Sequence, residues 1–264
     1  MTDAARGDDA APILLAETVV KRFGGVAAVD GLSFAVRRGE ILGLIGPNGA
    51  GKTTMFDLMA GRLRPDGGRI LLDGRDIGRL PPHRRAALGL GRTFQIPRPF
   101  PDMTVVENVM LGRQGQPGES VLANFLRLGH LAETERETYA QAMDLVDFVT
   151  LTRLAHAPAR TLSGGQRKLL ELARVLMGRP RLMLLDEPAA GVNPSLLEVI
   201  IERIAAINAR GITLLIIEHN MELVARLCPR LIAMAAGTLL AEGRPDVVTR
   251  DSRVIESYLG GVAA

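Results

Sequence analysis

The order of apolar and polar positions divides the chain into three stretches. Across residues 13–45, short runs rich in β-branched residues (ILLAETVV, GVAAVDGLSFAV, EILGLI) are separated by Gly-Gly and Arg-Arg-Gly-Glu turns. This predicts antiparallel strands leading into a buried strand that ends at a Gly-rich loop. Residues 95–160 open with the Pro-rich IPRPFPDM and continue as helical stretches such as 134–149 (TERETYAQAMDLVDFV), with little strand signal. From Ser163 onward a helix, a buried strand (RLMLLDEP), a helix (SLLEVIIERIAAINARG) and a second buried strand (ITLLIIEH) alternate, the pattern of a parallel sheet with crossover helices. The fold class is α/β, with an antiparallel β subdomain and a helical subdomain at about 96–175. The chain reads as one domain over 1–264, with a flexible N-terminus at 1–12 and a short C-terminal tail at 246–264.

Composition narrows the functional classes. With 264 residues, 47% hydrophobic and 23% charged, the chain has the apolar surface of a folded domain. A net charge of +3 is too small for the basic sheath of a nucleic-acid binder. The single cysteine, Cys228, builds neither an intramolecular disulfide nor a thiolate metal site, which fits a reducing compartment. Residues 1–11 (MTDAARGDDAA) lack the apolar core of a signal peptide, and runs such as 231–241 (LIAMAAGTLLA) fall short of the roughly 20 residues that span a bilayer.

The chemistry-bearing motifs follow the buried strands. Gly46-Pro47-Asn48-Gly49-Ala50-Gly51-Lys52-Thr53-Thr54 fits G-x-x-x-x-G-K-[ST] between the apolar ILGLI and the helical TTMFDLMAGRL. Such a loop turns its N–H groups inward as an anion nest at a helix N-terminus, so the expected guest is a polyphosphate. Lys52 would reach the β- and γ-phosphates, Thr53 would offer its hydroxyl to Mg²⁺, and Thr54 would continue the phosphate contacts. Asp186 and Glu187 end the apolar strand expected over 182–187 and, as adjacent strand residues, would point to opposite faces. Asp186 is expected in the Mg²⁺ shell, and Glu187 as the base that takes a proton from the attacking water. His219 follows the next buried strand, where it would touch the γ-phosphate or that water.

Leu162-Ser163-Gly164-Gly165-Gln166 opens a further helix and supplies a second anion site, one more than a single nucleotide needs. Together with the phosphate loop, Gln95, Asp186-Glu187, Ala190-Gly191-Val192-Asn193-Pro194 and His219, it makes the chain from about 13 to 258 resemble the ATP-binding subunit of an ABC transporter. The resemblance implies a P-loop NTPase (RecA-like) core whose helical subdomain carries LSGGQ. It also implies a head-to-tail dimer in which the phosphate loop of one subunit and Ser163, Gly164, Gly165 and Gln166 of the other clamp ATP. It assigns Gln95 to sensing Mg²⁺ and the attacking water, and Asn193, where the usual loop has Asp, to contacts between subunits. Phe23, just before Gly24-Gly25, matches the position of the aromatic that stacks on adenine.

Gly91–Phe100 (GRTFQIPRPF), Met103–Val109 (MTVVENV) and the ending Val254–Gly260 are similar to ATPases of branched-chain amino acid importers. The partners this implies are two membrane permeases, a second ABC ATPase and an external solute-binding protein, with the chain peripheral on the cytoplasmic face of the membrane. Phe100, in Pro-Arg-Pro-Phe-Pro, would anchor a permease helix. Importers of urea or short amides and a non-transport ABC ATPase are the alternatives; the latter would need a long coiled-coil insertion or a tandem domain, and 264 residues hold neither.

Overall fold

A computed structural model describes residues 11–114 and 128–259. The chain begins as β1 (Leu14–Phe23), β2 (Val26–Val36) and β3 (Ile41–Ile45), followed by α1 (Lys52–Ala60). Then come β4 (Gly67–Leu72), β5 (Arg75–Asp76), α2 (Pro82–Ala87) and β6 (Leu90–Arg92). The helical region contributes α3 (Val105–Met110), α4 (Leu128–Phe148) and α5 (Gly164–Met177). The remainder is β7 (Leu182–Asp186), α6 (Pro194–Ala209), β8 (Thr213–Ile217), α7 (Met221–Leu227), β9 (Arg230–Ala235), β10 (Thr238–Gly243), α8 (Pro245–Val248) and α9 (Ser252–Leu259).

Two sheets form. One is antiparallel, in the order β2-β1-β4-β5; the other has the order β10-β9-β3-β8-β7-β6, parallel except for the β9–β10 hairpin. The central strands read as unbroken apolar runs because both faces are covered. Alternate residues serve different cores, as the two-residue period of a strand requires. Leu42, Leu44, Leu182, Leu184, Leu215 and Ile217 pack with the antiparallel sheet and with Met55, Phe56, Leu58 and Met59 of α1. Ile41, Ile45, Met183, Leu185, Leu214 and Ile216 pack with the helical layer of α3, α4, α5 and α6. The helix that carries Lys52 therefore lies between the two sheets.

The structure adds three details to the sequence reading. The helix expected over 134–149 covers Leu128–Phe148. The tail expected at 246–264 contains two helices, α8 and α9, the latter pinned by buried Val254. The sequence reading has no β4–β5 hairpin, although Asp73-Gly74, both at positive φ (50° and 74°), is a two-residue turn signal directly after the apolar end of β4; the two charged residues of β5 carry no strand pattern. Residues 1–10 of the expected flexible N-terminus and residues 260–264 of the tail fall outside the described residues. Among the described residues no helix is long and apolar enough to cross a membrane.

Cys228 caps α7 and is 2% exposed; burial pushes its thiol up to about 12. Its sulfur faces the central strand so closely that a Cβ added to Gly43 would lie 3.2 Å from it. It is a packing residue.

Candidate functional site

Four neighbouring parallel strands, β3, β8, β7 and β6, deliver their C-terminal ends to one edge of the sheet, the place where open α/β sheets bind ligands. After β3 the chain turns through 46–51 into α1. Gly46 has φ 150°, and a Cβ there would come within 2.1 Å of the Met234 carbonyl oxygen; Gly51 has φ 97°, and its Cβ would come within 2.2 Å of the Ala28 carbonyl oxygen. Only glycine fits either position. Lys52 Nζ donates to the carbonyls of Gly46 (2.7 Å) and Pro47 (2.8 Å), which folds the side chain back over the loop. Burial lowers its pKa, and the carboxylates of Glu187 and Asp186 oppose that effect.

Glu187 sits just beyond β7 with φ 47°, a left-handed conformation unusual for a side-chain-bearing residue. Its carboxylate lies between two groups from neighbouring strand ends. Gln95 Nε2 donates to Oε2 at 2.7 Å, and His219 Nε2 stands 2.9 Å from Oε1. Three residues separated by up to 124 positions in sequence therefore meet around one carboxylate. The backbone around it is fixed from below by Glu218, 2% exposed, which accepts from the N–H groups of Ala189 (2.6 Å), His219 (2.8 Å) and Asn220 (3.0 Å).

Asp186 is buried on the other face. Arg92, the last residue of β6, donates to it at 3.1 Å and also binds Asp57 of α1. Desolvation raises the Asp186 pKa and the Arg92 guanidinium opposes that shift. Asp186, Thr53 and Gln95 line one cavity of about 700 Å³. A hydroxyl, an amide carbonyl and a carboxylate form an all-oxygen donor set, the kind a hard cation such as Mg²⁺ takes, so the residues present fit that ion.

Ser163, Gly164 and Gln166 do not line that cavity. The Ser163 hydroxyl accepts from the Gln166 N–H, and the Gln166 side chain accepts from the Ser163 N–H, which makes a capping box at the start of α5. Gly165 is buried under the 190–193 loop, since a Cβ there would meet Leu196 at 2.2 Å and Val192 at 3.4 Å. Asn193 caps α6, its side chain accepting from Leu196 N–H at 2.9 Å. Phe23 is 49% exposed at the end of β1, with Lys21 Nζ 5.5 Å from its ring centroid; its hairpin is the one whose Ala28 abuts Gly51. Phe100 is 51% exposed, on a turn held by buried Asn108, which bonds the backbone of Phe100, Met103 and Thr104.

The match to known proteins agrees with this geometry. The family model described as ABC transporter matches residues 29–190, more than half of the chain. The chain belongs to the ABC transporter family. A second model, the branched-chain amino acid ATP-binding cassette transporter, matches residues 238–264 of the cassette. The cassette is 38% identical over 248 residues to the probable branched-chain amino acid transport ATP-binding protein LivG of Archaeoglobus fulgidus, with 94% of the chain and 95% of the relative covered. It is 40% identical over 250 residues to the high-affinity branched-chain amino acid transport ATP-binding protein BraF of Pseudomonas aeruginosa, with 94% and 98% covered. Among solved structures, the ADP conformation of MJ1267, an ATP-binding cassette of an ABC transporter, superposes with a TM-score of 0.83 at 39% identity, covering 95% of the chain and all of the neighbour. A nucleotide-free cassette superposes at 0.82 with 38% identity, covering 94% and 99%.

Sequence reasoning passed over several residues that shape the cassette's site. Arg92 lies three positions before Gln95 but reads as a surface charge until β6 pairs with β7. Glu218 stands beside His219 in a run that draws the eye to the histidine. Lys168, Glu171 and Arg174 sit in a helix whose charges look solvated. The one available signal was spacing, because charges three apart among leucines fall on a single helix face.

Proposed function

We propose that this chain is the ATP-hydrolysing subunit of an amino acid importer, with branched-chain amino acids as the favoured solute. The observation that carries the chemistry is the Glu187 carboxylate held between Gln95 and His219 beside the Gly46–Thr54 loop. In this reading the loop amides and Lys52 cradle the β- and γ-phosphates, Thr54 continues those contacts, and Phe23 stacks on the adenine. Glu187 accepts a proton from the attacking water while Gln95 and His219 hold that water and the γ-phosphate in line. Thr53, Gln95 and Asp186 would hold Mg²⁺, which neutralises charge on the phosphates when bound. Water adds to the γ-phosphorus, the bond to the β-phosphate oxygen breaks, and ADP and inorganic phosphate leave.

A second ABC ATPase would complete each site with its own Ser163-to-Gln166 equivalent, in a head-to-tail dimer. Partners beyond it are two permease subunits at the cytoplasmic face of the membrane, docked near Phe100, and indirectly an external solute-binding protein. The match over 238–264 and the names of the relatives support the branched-chain solute class; urea and short amides are the second reading. Purification of the tagged chain from solubilised native membranes, with mass spectrometry of what accompanies it and uptake assays after its deletion, tests this. Two permeases and loss of leucine-class uptake are expected. Partners confined to DNA repair or ribosomes would overturn the transport reading.

A further inference from the structure

Lys168, Glu171 and Arg174 lie three residues apart on α5, so they share one face, while Leu169, Leu170, Leu172, Ala173 and Leu176 belong to the apolar core. Each of the three bonds backbone of the site, Lys168 the turn after β7 and the other two the loop at 94–98. Lys168 Nζ donates to the Glu187 carbonyl; Glu171 Oε1 accepts from Phe94 N–H at 2.6 Å; Arg174 Nη1 donates to the Arg98 carbonyl at 3.2 Å. Packing does not explain Glu171. It is 5% exposed and, among the described residues, its second oxygen has no hydrogen-bond partner, so a carboxyl group is buried here at a cost that a leucine would not carry. What the carboxyl group supplies, and leucine cannot, is the bond to Phe94 N–H, beside attraction to Arg174 and Lys168 on the same face.

We infer that the Lys168–Glu171–Arg174 face is a positioning bar that fixes the backbone on which Gln95 and Glu187 are aimed and joins both to Ser163 and Gln166 at the head of the same helix. Backbone contacts set the direction of a loop whatever its side chains are, and Phe94 directly precedes Gln95. Glu171 is eight residues from Ser163, about 12 Å along a rigid helix. A shift at the Ser163 end therefore moves the Phe94 and Glu187 backbones with it, so an event at Ser163–Gln166 reaches the attacking-water geometry through this face. The inference rests on the ATPase reading for its consequence in turnover, but the tether itself is testable without it.

The experiment compares the full chain with Glu171→Leu and Glu171→Gln, the latter keeping an acceptor at the Oε1 position. Amide exchange at Phe94 should quicken about tenfold or more in Glu171→Leu and stay within about twofold of the parent in Glu171→Gln. In parallel, kcat for ATP should fall about tenfold in Glu171→Leu with KM within about twofold, and Glu171→Gln should restore it. A general loss of structure would instead move KM and exchange throughout the chain, without rescue by Gln. If Glu171→Leu does not fold, Lys168→Met carries the test, with the same drop in kcat and faster exchange at Ala189 and Ala190. Parent-like exchange at Phe94 and parent-like kcat in Glu171→Leu overturn the inference. No ATP turnover by the parent chain would defeat the ATPase reading and leave the exchange arm to decide the tether.

Discussion

Replacing Arg85 by Met should be among the most damaging single changes outside the candidate site. The Arg85 side chain is fully buried. Its Nη1 donates to the carbonyls of Leu58 (2.6 Å) and Met59 (2.7 Å), its Nε to Leu80 (2.8 Å) and its Nη2 to Gly78 (3.2 Å). Leu58 and Met59 end α1, where helix carbonyls have no partner of their own, so Arg85 finishes the helix that Lys52 begins. Burial lowers its pKa to about 10, still well above neutral, and the group stays charged. In Arg85→Met the Leu58 carbonyl keeps its bond from Gly61 N–H (3.3 Å), and the other three lose their guanidinium partner. At roughly 1–3 kcal/mol per buried acceptor left unsatisfied, less the desolvation of the cation that is recovered, the net loss is about 3 kcal/mol. Urea unfolding with an unchanged slope should show it, as should a Tm drop of roughly 6–12 °C for a domain of this size. A loss below about 1 kcal/mol would refute the reasoning, because it would mean that burying the cation costs as much as its four bonds return.

Glu187→Gln should retain ATP binding, lower turnover by about a hundredfold or more and accumulate a dimer with ATP and Mg²⁺ in size-exclusion chromatography; normal turnover would remove Glu187 as the base. Lys52→Ala should weaken ATP binding at least tenfold by titration calorimetry, and unchanged affinity would sink the phosphate-loop assignment. Burial raises the Glu171 pKa from 4.5 to about 7, so the folded chain holds this proton more tightly than the unfolded one. Its stability contribution is full below about pH 4.5 and is lost as pH rises to about 7, by at most roughly 3 kcal/mol. Glu171→Gln has no such proton to lose, so its Tm should gain on the parent between pH 5 and 7.5; a constant difference would contradict this.

The parts of the fold that sequence reveals are those whose environment is uniform. β3, β7 and β8 are covered on both faces and read as apolar runs of four or five residues, and the loop after β3 carries its own glycine signature. β6 is three residues long and owes its existence to parallel pairing with β7, which no local pattern encodes. The same distinction holds at the site. Lys52 follows a glycine loop and Glu187 and His219 stand just beyond strand ends that apolar runs expose, whereas Arg92, Glu218 and Glu171 are charged residues whose burial is decided by distant chain segments. In QRKLLELARVLM the polar positions look like a solvated face; the loop at 94–98 is what covers them. Asn193, expected between subunits, has a local duty as well in starting α6.

The buried thiol of Cys228 makes the chain its own clock. As the sole cysteine, held in the seam between α7 and the central strand and far from ionising at neutral pH, it can react with a thiol reagent only when that seam opens. Its labelling rate therefore reads the opening of the seam directly. A cysteine introduced at an exposed site such as Phe100 or Gly164 would take up a dye at once, and the two rates in one molecule would separate motion of the surface from breathing of the core.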